Sequence, residues 1–95
     1  MSVNVKFSIV VRDIPDPAIP GLLAALRGVM REESLVEDTL FETDAGIVQV
    51  YTPTPVIISG FGRWHPSFEA RVKQAVEAST PGLSPRFHWT YPDED

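Results

Sequence analysis

Between Val3 and Val11 the side chains alternate: Val3, Val5, Phe7, Ile9 and Val11 stand at odd positions against Asn4, Lys6 and Ser8, and Val10 alone breaks the even set. Successive side chains of an extended chain point to opposite faces, so this pattern specifies a strand with one face buried and the other in contact with water. A segment of this kind needs a layer on its apolar side only, which favours helices packed on one face of an antiparallel sheet.

The punctuation that follows divides the chain into further elements. Asp13-Ile14-Pro15-Asp16-Pro17 stops the strand, because each proline fixes φ and removes a donor, and Asp16 ahead of Pro17 resembles a helix N-cap. Ile19, Leu22, Leu23, Leu26 and Met30 then recur at helical spacing, and Arg27 and Arg31 lie where a helix C-terminus favours cations, which predicts a first helix ending near Glu32. Residues 36–51 read as a hairpin, with a polar strand from Glu37 to Thr43, a turn at Asp44-Ala45-Gly46 and an apolar strand from Ile47 to Tyr51. Thr52-Pro53-Thr54-Pro55 interrupts pairing before a strand resumes at Val56 to Phe61, and the residues leave open whether 47–61 is one bent strand or two.

Gly60-Phe61-Gly62 breaks that strand, and Pro66 after His65 predicts a second helix with proline at its first position. Phe68, Val72, Ala75 and Val76 form its apolar stripe, and Thr80-Pro81-Gly82 ends it. Phe87, Trp89 and Tyr91 alternate with Arg86, His88 and Thr90 as a last strand. The order β, α, β, β, (β), α, β predicts a ferredoxin-like, split βαβ α+β fold with two helices on one face of an antiparallel sheet. The expected core contains Val5, Phe7, Ile9, Leu22, Leu26, Val72 and Val76. Residues 1–92 read as one domain and 93–95 as an acidic tail, because 95 residues are too few for two independent cores.

Charge is segregated along the chain. Glu32, Glu33, Glu37, Asp38, Glu42 and Asp44 lie in a stretch without Lys or Arg, the tail adds Asp93, Glu94 and Asp95, and the net charge is −5. Phosphate affinity requires clustered Lys and Arg, so this balance argues against nucleic acid as a partner. The absence of cysteine removes disulfides, thiolate nucleophiles and Cys-based zinc sites together. The N-terminus has no long apolar block and no stretch is apolar enough to span a bilayer, so the expectation is a cytoplasmic protein with no membrane partner.

Candidate chemistry is sparse. His88 with Asp93 or Glu94 offers imidazole and carboxylate but no spacing of a metal cage, and a strand histidine on a polar face is ordinarily solvated. Ser59-Gly60-Phe61-Gly62-Arg63 runs from strand to helix as phosphate loops do, yet lacks their third glycine and Lys-Ser/Thr. Its glycines suffice to make a tight turn with Trp64 beneath. Ser67 near His65 has no nucleophile-elbow context and reads as a helix-start residue. No catalytic, cofactor or metal residues are assigned.

The sequence reading is therefore a noncatalytic binding protein, of the kind of an acidic immunity protein or antitoxin that complements a basic protein partner. Its candidate partner-binding residues are Glu37, Asp38, Glu42, Asp44 and Trp89. The same acids also serve to guard an edge strand, and Trp89 serves equally as the inner face of a strand. The alternatives are a dimeric small-molecule-binding domain or modest enzyme with a pocket between sheet and helices, and a structural subunit. A small uncrosslinked domain with aromatic strand surface is expected to form a symmetric homodimer.

Overall fold

The computed structural model describes residues 2–92. The alternating N-terminal segment is strand β1, Ser2–Val11, and its odd residues Val5, Phe7, Ile9 and Val11 are buried as the period of two requires. A short 3-10 turn, Asp16–Ala18, leads into helix α1, Ile19–Glu32. Asp16 lies inside that turn, and no side chain caps either start. α1 ends where expected, by a Schellman motif: Ser34 adopts φ 60°, its N–H bonds the Arg31 carbonyl at 3.1 Å, and the Leu35 N–H bonds Met30 at 2.7 Å.

Strand β2, Leu40–Asp44, and strand β3, Ile47–Tyr51, form the hairpin. The first residues assigned to its polar strand are not strand: Glu37 and Asp38 belong to a second 3-10 turn, Val36–Asp38. Buried Thr39, itself extended, stabilises that turn by donating its hydroxyl to Leu35 O at 3.0 Å, and the ladder begins at Leu40. Ala45 (φ 47°) and Gly46 (φ 79°) both take positive φ, the requirement of a two-residue hairpin turn with the twist of its strands. Gly46 also approaches its neighbour closely, since a Cβ there would meet the Ile14 carbonyl at 3.2 Å, tighter than ordinary van der Waals contact.

Strand β4, Val56–Ser59, completes the segment the prolines interrupt. β1 pairs antiparallel with β3 from Ser8↔Tyr51 and with β4 from Val5↔Val56, so two residues of β1, Lys6 and Phe7, face four of its partner, Thr52–Pro55. Across this offset the Thr52 side chain takes the place of a ladder acceptor. Its Oγ1 accepts the Phe7 N–H at 2.9 Å while the Thr52 N–H donates to Phe7 O at 3.0 Å.

Helix α2 spans Phe61–Ser79, five residues longer at its start than Pro66 implies. Gly60 in the left-handed conformation (φ 64°) turns the chain, and Arg63 and Trp64 both donate to Gly60 O at 3.0 Å. The first turn is thus closed before Pro66, whose missing N–H falls inside the helix. Strand β5, Arg86–Thr90, pairs with β1 through Phe7↔Trp89. Ser8, Ile9 and Val10 pair with both β3 and β5, so these two strands flank β1 on opposite edges.

The architecture is α+β, a five-stranded antiparallel sheet with two helices. One contiguous core joins β1, β3 and β4 to Leu22, Leu26, Val29 and Met30 of α1 and Phe68, Val72 and Val76 of α2. All seven expected core residues are buried in it. No element among the described residues covers the other sheet face. Among the described residues no helix is long and apolar enough to cross a membrane.

Candidate functional site: the open sheet face and its acidic flank

Pairing register and alternation determine which side chains the uncovered face presents. β1 contributes Asn4, Lys6, Ser8 and Val10, and β3 contributes Ile47, Gln49 and Tyr51. Leu40, Glu42 and Asp44 come from β2, and Arg86, His88 and Thr90 from β5, each opposite a residue of that set. The centre of the face is internally bonded. Gln49 Nε2 donates to Ser8 Oγ at 3.1 Å and the Tyr51 hydroxyl to Glu42 Oε2 at 2.6 Å. That second bond raises the Tyr51 pKa above the ordinary 10.0, with desolvation and the carboxylate charge adding to it, because ionising the phenol loses the donor and sets two anions together.

The wide bulge leaves a hollow of about 370 Å³ on this face, lined by Lys6, Ser8, Gln49, Tyr51, Pro53 and His88. A second, of about 420 Å³, lies between Arg12, Val10 and the β2 residues Glu42 and Asp44. Both are open concavities. The space between sheet and helices is filled by the core.

Of the six clustered acids Glu33 is withdrawn by pairing, while Glu32 reaches the same arginine only at the limit of an ion pair and stays exposed. Arg71 Nη1 lies 2.6 Å from Glu33 Oε2 and 4.0 Å from Glu32 Oε1, and Glu33 Oε1 also accepts Trp64 Nε1–H at 3.0 Å. These contacts tie the end of α1 to α2. Glu37, Asp38, Glu42 and Asp44 are exposed and have no ion pair among the described residues. They lie along β2 and the turn before it, at the sheet edge where β2 pairs only with β3.

Trp89 is not brought to these acids. It lies on β5, beyond β1 and β3 from β2, and on the helix-covered face. It packs tilted on Phe7 at 5.4 Å and edge-on to Phe61 and Trp64, and its Nε1–H donates to Glu69 Oε2 at 2.8 Å. Its aromatic neighbours Phe87 and Tyr91 pack against the same core. His65 belongs to this cluster as well, with Nε2 buried 3.3 Å from Glu69 Oε2 but without hydrogen-bond alignment. His88 is exposed on the opposite, open face, while the tail acids Asp93 and Glu94 considered with it fall outside the described residues.

Sequence reasoning missed the open-face set of Lys6, Gln49, Tyr51 and Arg86, since only the register places them together. Comparison of the chain with protein-family models, curated proteins and solved structures finds no match.

Proposed function

We propose that this chain is a small noncatalytic binding protein that recognises a basic protein partner through the flank formed by Glu37, Asp38 and the β2 acids Glu42 and Asp44. The observation that carries this reading is that these four carboxylates stay exposed and without ion pairs among the described residues, while the neighbouring Glu33 is held by Arg71 and Trp64. Like charges held together on an edge repel one another, and a complementary cation field relieves that repulsion while steering encounter. The interior is filled by packed side chains, which supports recognition at the surface over a ligand held between sheet and helices.

The scaffold for this role is a split βαβ, ferredoxin-like sheet in which β3 and β4 act as a single bent third strand. The support for that topology is the offset of two residues against four between their pairings with β1. In this arrangement β2 is a free edge and the flank projects beyond it.

Association kinetics test the proposal. The partner captured by the wild-type chain should associate more slowly with the E37Q/D38N/D44N variant, and its rate should lose most of its dependence on ionic strength. Equal rates and equal salt dependence for the two chains would refute the flank as the recognition surface.

A further inference from the structure

The open sheet face carries opposite charges at its two edges. One register row runs Glu42–Gln49–Val10–Arg86 from β2 across β3 and β1 to β5, so the row begins with a carboxylate and ends with a guanidinium. A twofold axis along the strands, between β1 and β3, turns one copy of the face over onto another. That operation sets Glu42 of each copy over Arg86 of the other, and Val10 over Gln49, with no like charges opposed in the row. The face is complementary to itself.

A second feature of the same surface is independent of charge. Among the described residues the exposed large apolar side chains are Leu40, 49% exposed, and Ile57, 74% exposed. Leu40 pairs with Tyr51 and Ile57 with Asn4, so both stand on the open face. The helices on the other side present no comparable side chain. Two pairs of polar groups on this face are already bonded within the copy, Gln49 to Ser8 and Tyr51 to Glu42, which lowers the cost of displacing water over them.

We infer that the open sheet face is a homodimer interface, in which a second copy of this chain covers Leu40 and Ile57 and pairs Glu42 with Arg86 reciprocally. Four strands spaced about 4.8 Å apart give roughly 500 Å² of face per copy, at the lower end of specific interfaces. An interface this small belongs with weak, reversible association. The dimer leaves Glu37 and Asp38, which precede β2, outside the interface but takes up Glu42 of the proposed recognition flank, so self-association and binding of a basic partner compete for that carboxylate.

Sedimentation equilibrium on the full chain tests this, with E42R, R86E and the E42R/R86E exchange. Both positions are exposed, and circular dichroism checks that each variant is folded. The wild type should dimerise at tens of micromolar. Symmetry makes each single reversal place two pairs of like charges in contact, so each should weaken the dimer by about ten-fold or more, and the exchange should restore it. A wild type that stays monomeric, single variants that dimerise as the wild type does, or an exchange no better than the singles would each overturn the inference.

Discussion

Replacing Thr52 by valine removes one oxygen and preserves shape, at a residue 2% exposed within the bulge between β3 and β4. The oxygen accepts the Phe7 N–H at 2.9 Å, at the point where the two-against-four offset interrupts the pairing of β1 with β3 and β4. A buried donor left without a partner costs about 1–3 kcal/mol, and the added methyl and the strand preference of valine return part of that. The expected net loss is about 1–2 kcal/mol, or roughly 4–16 °C in Tm for a domain of this size. Urea unfolding should show a lower midpoint at unchanged slope, because the exposed surface of the unfolded chain is the same. Amide exchange then locates the loss: Phe7 should lose more protection than the rest of β1 in T52V, whereas T52S retains the acceptor and the Phe7 protection relative to its neighbours. A T52V chain with the wild-type midpoint and a protected Phe7 amide would refute the view that this hydroxyl substitutes for the missing ladder bond.

Two other perturbations probe the turn and the open face. Gly46→Ala puts a Cβ at 3.2 Å from Ile14 O on a residue of φ 79°, so it should lower stability by about 1 kcal/mol or more in thermal unfolding, and a neutral result would contradict the close approach. Because the fold raises the Tyr51 pKa above 10.0, its protonated form is the one the fold favours. Its contribution to stability is therefore present below the unfolded value and lost as pH rises through the folded one. Ultraviolet titration should show one tyrosine ionising above its ordinary range in the wild type and at lower pH in Glu42→Gln; identical curves would refute the bond.

The elements legible in the sequence are those whose signal is periodic and local. The alternation in β1, the stripes of both helices and the glycine of the hairpin turn each record which face meets the core, and the chain obeys them. The errors arise where a local preference has two uses. Pro66 is favoured at a first helical position, yet Gly60 had already turned the chain and closed a helical turn ahead of it. Glu37 and Asp38 read as strand because they precede one, but the Thr39 hydroxyl holds the turn that contains them. Ser34 ends α1 in a conformation usually left to glycine, which composition does not reveal.

The candidate site was legible as exposed charge and hidden as geometry. Exposure of Glu37, Asp38, Glu42 and Asp44 follows from their chemistry, whereas the pairing of Glu32 and Glu33 with Arg71 joins residues far apart in the chain. Trp89 reads as an anchor from its size alone. Its bond to Glu69 and its packing on Phe7 depend on α2 crossing behind β5, which no spacing expresses. The Glu42–Arg86 row likewise exists only once three register relations are combined.

The acidic flank is tested most directly by nuclear magnetic resonance of the labelled chain during titration with an arginine-rich peptide at low salt. Shifts should concentrate on the amides of residues 37–44 and collapse as ionic strength rises, while Glu33, already held by Arg71 and Trp64, stays silent. Shifts centred on Glu33, or spread evenly over the acidic residues of the whole surface, would contradict the account.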